Sequence, residues 1–258
     1  MKRKGTEMYC FTCEEDFESM MTCIYRVWEA KKGSQNVRLE IEPVEQMDLL
    51  TEYIHVEVTQ ELAQKVVRSI QTKISAKAYY QIYLAAMSND PGRLDDIYRF
   101  LRIGFAVGGK VTEYLREKAV MQIFELSRQV SNERHFFREF LRFTRIEPGI
   151  YVAHMEPKGN VVALVAEHFA DRMPSEAWMI IDDGRGLGAI HPKNEPFYVT
   201  EFREEEMERL RQTEQQEDLY TQMWKEFFYT IAVEKRKNPV CQRNMFPLRY
   251  RKHVTEFL

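Results

Sequence analysis

The feature that most constrains the fold of this chain is a change in the spacing of its apolar residues at Glu147-Pro-Gly149. Before this point, residues 76–143 repeat apolar side chains every three or four positions, as amphipathic helices do. After it, residues 150–155 and 177–182 are short runs rich in strand-forming side chains, and residues 161–172 between them have a helical pattern. Helices and strands are therefore largely segregated along the sequence, which predicts an α+β fold.

The beginning of the chain carries a mixed pattern of its own. Alternating apolar residues predict strands, and apolar residues at helical spacing predict helices between them. Thr59 is a suitable N-cap for the second of these helices. In chain order, the predicted elements cover residues 8–13, 14–32, 37–41, 53–58 and a helix that follows Thr59.

These patterns predict two parts. We expect residues 1–80 to form a small N-terminal α/β segment packed on a main α+β domain, residues 81–258. In the main domain, the helical block is expected to share one core with a short, mostly antiparallel sheet. One long C-terminal helix is predicted from about Glu204 to Arg236, because this region is acidic at first and aromatic later with no helix breaker.

The composition excludes several classes of protein. The chain has 258 residues, of which 44% are hydrophobic, so it can bury a substantial core. Its longest aliphatic run, Val161 to Ala166, is far shorter than the roughly 18 apolar residues of a membrane span. The basic start Met1-Lys-Arg-Lys-Gly5 is not followed by the apolar stretch of a signal peptide. We therefore expect a cytoplasmic protein with no membrane partner.

The four cysteines are predicted to be reduced thiols. Cys10 and Cys13 have the two-residue spacing of redox and zinc pairs, but the sequence has no second C-x-x-C and no H-x-x-x-H to complete a zinc site. Cys23 and Cys241 complete the set. We predict buried or half-buried thiols here, no metal site in the chain and no cofactor.

A glycine-rich stretch resembles a phosphate-binding loop only superficially. Residues 104–111 match that pattern except at the last position, where Val111 replaces the hydroxyl residue that binds magnesium. The residues before the stretch have helical rather than strand spacing, and Gly108-Gly109 is typical of a helix end. We predict a structural role for Lys110.

The C-terminus is strongly basic in a chain of net charge -3. Residues 235–253 contain seven Lys or Arg and no acid, interleaved with Phe246, Tyr250 and His253. Cations among aromatic rings suit a phosphate backbone with nearby bases. Alternatively, residues 235–237 complement the dipole of the preceding helix, and the other cations pair with the acidic residues in 201–218.

A second candidate site follows the strand that ends at residue 182. Asp182 and Asp183 could hold a metal or perform acid/base chemistry, but neighbouring strand residues point to opposite faces, and turn chemistry favours a polar turn before Gly184 instead. Arg185 lies between two glycines, which allow a backbone to approach a ligand closely. His191 is one of the histidines nearest in sequence, and a lone histidine is more often structural than catalytic.

Several motifs in the second half of the chain recur together in one protein family. They are Arg142-Phe143, Glu156-Pro157, His168-Phe169, Asp183, Arg185-Gly186, Trp224, Phe228-Tyr229, Asn238-Pro239, Gln242-Arg243, Pro247, Arg249-Tyr250 and Lys252. With them the chain resembles a bacterial family of unknown function that is described as a probable DNA metabolism or repair protein. Its members are fused to a uracil-DNA glycosylase domain or encoded beside a putative DNA-repair radical SAM protein. Where the family usually has Trp before the last Lys, this chain has Arg251.

The resemblance implies a DNA-repair accessory protein that binds nucleic acid, most readily DNA, and acts with a radical SAM or uracil-DNA glycosylase-like partner. The residues expected to contact phosphates are Arg142, Arg185, Asn238, Gln242, Arg243, Arg249, Tyr250 and Lys252. Two alternatives remain: a protein-protein adaptor, and an enzyme acting on a nucleotide or base. The family supplies no catalytic residue, so the candidates for an enzyme come from the sequence alone: Glu156, Asp182, Asp183 and His191.

Overall fold

The computed structural model describes residues 8–147, 149–213, 223, 243 and 246–254, and it shows an α+β protein. The strands are β1 (Met8–Cys13), β2 (Val37–Ile41), β3 (Thr51–His55), β4 (Thr144–Glu147), β5 (Ile150–Met155), β6 (Ala177–Asp182), β7 (Leu187–His191) and β8 (Tyr198–Glu201). The helices are α1 (Phe17–Ala30), α2 (Gln60–Lys73), α3 (Ala76–Ala86), α4 (Arg93–Val107), α5 (Lys118–Phe140), α6 (Val162–Arg172) and α7 (Glu204–Thr213). None of the helices within these residues is long and apolar enough to cross a membrane.

The chain divides into two compact units, residues 1–131 and 132–258, and the division falls within α5. The boundary that the sequence predicts between residues 80 and 81 lies inside the first unit. Each unit has its own sheet.

The first unit is built on a parallel sheet with the order β2-β1-β3. Its central strand β1 is buried from Tyr9 to Cys13 without interruption, as expected of a strand covered on both faces. α1 joins β1 to β2, and the side chain of Asp16 caps its first turn by accepting a hydrogen bond from the Ser19 backbone N–H at 2.8 Å. The predicted N-terminal α/β arrangement is therefore present.

The helical block after Ala76 contributes to the core of this same unit. Ile82 of α3, together with Leu94 and Leu101 of α4, belongs to one buried cluster with Phe11 of the parallel sheet. The expectation that these helices share a core with the later sheet is therefore wrong for α3 and α4.

The glycine-rich stretch lies in helical surroundings, as predicted. It follows α4, not a strand, and Gly108–Glu113 form a 3-10 helix. Gly108 has a positive φ of 69°, a backbone conformation that glycine adopts without steric cost. A phosphate loop needs a preceding strand, so this context does not provide one.

The second unit contains a mostly antiparallel sheet with the order β4-β5-β6-β7-β8. Only its central pair, β5 and β6, is parallel, and α6 provides the crossover that parallel neighbours require. β7 pairs with β6 and with β8, and both pairs are antiparallel. Val152, Ile181 and Met207 are among the buried residues that pack this unit.

The C-terminal segment, defined here as residues 246–254, packs against the end of α5. Phe246 stacks on Phe140 with ring centroids 3.9 Å apart, and Tyr250 stacks on Phe136 at 4.8 Å. Phe246 and Tyr250 are both buried, as is Val254. The segment therefore packs back onto its own unit.

Part of the predicted C-terminal helix is described. α7 covers Glu204–Thr213, and the remaining positions up to Arg236 lie outside the described residues, apart from residue 223. Trp224 and Phe228, two of the motif residues, also lie outside them.

Candidate functional site

Two carboxylates meet where the parallel strands of the second unit end. β5 and β6 are paired so that Met155 lies opposite Asp182, and each strand is followed directly by an acidic residue, Glu156 or Asp183. Parallel strands end at the same edge of a sheet, and ligands of open α/β sheets commonly bind outside this edge. The backbone N–H of Asp183 donates to the Met155 carbonyl at 3.0 Å and holds the two strand ends together.

A histidine of β5 orients Asp183. Nδ1 of His154 lies 3.0 Å from each carboxylate oxygen of Asp183, and both side chains are largely buried, with 14% and 10% of their surfaces exposed. A carboxylate only accepts hydrogen bonds, so Nδ1 of His154 donates. This contact fixes the direction in which Asp183 faces.

A second histidine, His253, arrives from the C-terminal segment. Its Nε2 lies 3.5 Å from Glu156 Oε1 and 3.8 Å from Asp183 Oδ2, and its ring stacks on that of His154 at 6.0 Å. Among the described residues this buried nitrogen has no hydrogen-bond partner. Burial lowers the pKa of His253, although Asp183 and Glu156 act in the opposite direction. The neutral imidazole is therefore favoured at this position.

The predicted cations Lys252 and Arg249 each face a carboxylate. The Lys252 ammonium contacts Glu156 and is 63% exposed. The Arg249 guanidinium lies 3.6 Å from Glu133 and 4.4 Å from the centre of the Tyr250 ring, whose hydroxyl it also contacts. Both cations are thus in ion pairs at the edge of the site, and both remain partly exposed to solvent.

The loop after β5 is anchored from two sides. The buried Glu133 accepts hydrogen bonds from the backbone N–H groups of Lys158, at 3.0 Å, and Gly159, at 2.8 Å. From the other side, the Arg185 guanidinium donates to the carbonyls of Pro157 and Lys158. These bonds hold the backbone that follows Glu156, and they give Arg185 a positioning role.

The Asp182 side chain stabilises the turn that follows β6, as the interpretation of Asp182-Asp183 as a polar turn predicts. Its carboxylate accepts hydrogen bonds from the backbone N–H of Gly184 at 3.1 Å and of Arg185 at 3.2 Å, and also from the Arg185 guanidinium. The side chain is fully buried, and burial raises its pKa while Arg185 opposes this effect. Asp182 and Asp183 therefore face different surroundings.

His191 lies at the opposite edge of the sheet. It pairs with Trp178 near the start of β6, stacks on that ring at 4.7 Å, and its Nδ1 lies 3.0 Å from the Glu176 carbonyl oxygen. Trp178 precedes Asp183 by five residues, which corresponds to about 16 Å along a strand. The contacts of His191 are those of a structural side chain.

The other predicted phosphate-binding residues are distributed differently. Arg142 donates to the carbonyls of Glu139 and Leu141 at the end of α5. Arg243 is exposed. Asn238 and Gln242 lie outside the described residues.

The site has the composition of a divalent-metal site. Glu156, Asp183 and His253 each offer one ligand atom, and the three atoms lie within 4.8 Å of one another. Two carboxylates and an imidazole suit Mn²⁺ or Zn²⁺. The sequence analysis predicts no metal, because cysteine pairs and closely spaced histidines give no complete ligand set and the Asp182-Asp183 pair is interpreted as a polar turn.

The sequence analysis does not assign His154 or His253 to the site, although His253 belongs to the basic, aromatic C-terminus and His154 is near the carboxylates in sequence. The signal for His154 is a polar residue within the apolar strand β5, two residues before Glu156. His253 is separated from Asp183 by 70 positions, and only the folding of the C-terminal segment brings it there.

Sequence comparison assigns the chain to a family. Residues 91–256, more than half of the chain, match the profile of a domain of unknown function, DUF4130. The chain belongs to the DUF4130 family. The match contains every residue of the site, from Glu133 to His253.

Two further comparisons add little. No curated protein sequence matches the chain. A solved structure described as the DHH domain of a member of a family of ribosomal proteins aligns over 73% of this chain and 74% of its own, with 8% sequence identity and a TM-score of 0.32. A similarity at this level supports no conclusion about fold or function.

Proposed function

We propose that this DUF4130 protein acts in DNA metabolism in the cytoplasm, and that it binds nucleic acid at the site formed by Glu156, Asp183 and the C-terminal segment. The observation that carries the proposal is the meeting of these two carboxylates with His253 at the carboxyl edge of β5 and β6. The family motifs Glu156-Pro157, Asp183 and Arg249-Tyr250 converge in the same place.

The charges around this site favour a phosphate-containing ligand. Lys252 and Arg249 are partly exposed, and the ion pair between Lys252 and Glu156 lies at the surface, so a phosphate backbone can compete for Lys252. Exposed ion pairs contribute only about 0–1 kcal/mol, which makes this exchange inexpensive. The aromatic side chains beside them are already packed, so we assign Tyr250 to the fold and the cations to the ligand.

The geometry also favours the enzyme over the protein adaptor. Asp183 is oriented by His154 and held in a largely buried position, which a purely electrostatic binding surface would not need. The loop that follows Glu156 is also held in place, by hydrogen bonds to Glu133 and Arg185, and this supports a catalytic role over a protein adaptor in the same way. We therefore propose chemistry on a nucleic acid or nucleotide at this site, in cooperation with a radical SAM or uracil-DNA glycosylase-like partner.

The proposal is tested by titrating fluorescent DNA with the full chain in the presence of a chelator and following anisotropy at several salt concentrations. Single-stranded, duplex and uracil-containing duplex DNA are compared, with and without the radical SAM protein. We expect the logarithm of the binding constant to fall with the logarithm of salt at a slope of about -3 to -5, because four to six phosphate contacts displace counterions.

Single-residue variants show whether this site is responsible for the binding of DNA. Lys252→Ala and Arg249→Ala should each weaken binding and reduce the magnitude of the slope by about 1. Lys193→Ala is the matched control, because Lys193 is an exposed cation after β7, at the sheet edge away from Asp183. A flat salt response, no binding at low salt, or parental binding by both variants would sink the proposal.

A further inference from the structure

We propose that Glu156, Asp183 and His253 bind one divalent transition-metal ion, Mn²⁺ or Zn²⁺. The inference deepens the proposed function, and it rests on that function for its role in the cell. The binding itself is a property of three side chains and can be measured without nucleic acid.

The spacing of the ligand atoms fits such an ion. His253 Nε2 lies 3.5 Å from Glu156 Oε1 and 3.8 Å from Asp183 Oδ2. Bonds of about 2.0–2.2 Å to an ion in tetrahedral coordination place neighbouring ligand atoms about 3.4 Å apart. These two separations therefore need to shorten by only a few tenths of an ångström.

The buried imidazole nitrogen is an independent sign of a ligand. His253 Nε2 is shielded from solvent and makes no hydrogen bond within the described part of the chain. A polar atom in this state costs stability unless something satisfies it. It faces two carboxylate oxygens, and an ion between the three atoms would satisfy all of them.

Lys252 neutralises one of the two carboxylates in the structure. Its ammonium pairs with Glu156, the carboxylate that also faces His253. The side chain is 63% exposed and can move into solvent when an ion binds. Lys252 is therefore a built-in competitor of the metal, and removing its charge should strengthen metal binding.

The surroundings resemble those of a reactive metal site more than a purely structural one. His154 holds Asp183 through Nδ1 and thereby acts as an outer-shell partner that orients a ligand. Three protein ligands leave at least one coordination position for water or for an oxygen of the substrate, whereas structural zinc sites use four. The nitrogen ligand favours Mn²⁺ or Zn²⁺ over Mg²⁺ and Ca²⁺, which prefer oxygen.

Isothermal titration of the full, chelator-treated and dialysed chain with MnCl₂ or ZnCl₂ tests the inference. We expect one ion per chain. Glu156→Gln and His253→Ala should each lower the affinity by more than the roughly 10–100-fold typical of outer-shell changes. Lys252→Met should raise it. Glu167→Gln, which changes an exposed carboxylate on α6, is the control and should bind like the parent.

Thermal melting with and without metal provides a second measurement for any variant that is less stable. The parent should gain stability from the ion, and Glu156→Gln, which alters an exposed side chain, should not. Absence of saturable binding up to about 1 mM metal, or parental affinity in both ligand variants, would overturn the inference. Because the DNA titrations are performed in chelator, loss of metal binding and loss of DNA binding are separate results.

Discussion

Tyr250 illustrates how one residue of a functional motif can serve the fold. Its ring is buried, stacked on Phe136 at 4.8 Å and edge-on to Phe137 at 5.1 Å. Its hydroxyl contacts Arg249 at the rim of the site. By holding the C-terminal segment on α5, it places His253 and Lys252 beside the carboxylates.

Replacing Tyr250 by Ala should therefore lower the free energy of unfolding by about 3 kcal/mol, the usual cost of truncating a large buried aromatic side chain. Urea denaturation measures this change. Tyr250→Phe is the matched control, because it keeps the ring and removes one hydrogen bond, at a cost of no more than about 1.5 kcal/mol. If the Ala variant lost less than the Phe variant, the packing assigned to the C-terminal segment would be incorrect.

The neighbouring Asp182 and Asp183 show why a site cannot be assigned from residue type. The rule that adjacent strand residues face opposite sides predicts that they separate, and they do: Asp182 caps a turn and Asp183 faces His154. The sequence offers both as catalytic candidates and cannot choose between them, because the choice depends on contacts with Arg185 and His154 that only the fold creates.

At the scale of elements, the strand-helix-strand unit from β5 to β6 decides the position of the site. Its three elements are predicted from periodicity, and a crossover helix implies parallel strands with adjacent carboxyl ends. The proximity of Glu156 and Asp183 follows from that unit alone. β4 is missed by the prediction, since its four residues give too short a pattern.

The cysteines of β1 and α1 allow a test of how well the core of the first unit is shielded from solvent. Cys10 and Cys13 lie on this central strand, and Cys23 lies on α1; all three are free thiols that are fully buried. Burial raises the pKa of Cys10 to about 11, so at pH 8 only about one thiol in a thousand is ionised. The prediction of buried thiols is confirmed for these three residues.

We expect these thiols to be unreactive in the native protein. The Cys241→Ser variant removes the fourth thiol, which lies outside the described residues. Treated with Ellman's reagent at pH 8, it should release almost no chromophore when native and about three equivalents in denaturant, because the thiolate is the reacting form. Rapid release of even one equivalent from the native variant would show that β1 or α1 is more accessible than described.

On the scale of the whole molecule, the family match and the structural units divide the chain differently. The DUF4130 match begins at residue 91, within the helices of the first unit, whereas the second unit begins at residue 132. Helical periodicity correctly predicts a helical block from residue 76, which contains α3 and α4. It does not show which sheet they cover, since an apolar helix face fits either one.

The central claim is that nucleic acid binds the second unit at its carboxylate–histidine site. Hydrogen exchange of the full chain, read by mass spectrometry with and without saturating DNA, tests it most directly. We predict slower exchange in residues 156–160 and in the C-terminal segment 246–254, and little change in β1 and β2, because a ligand shields only the backbone that it covers or stabilises. Unchanged exchange in both segments while DNA is bound, or protection confined to the first unit, would contradict the claim.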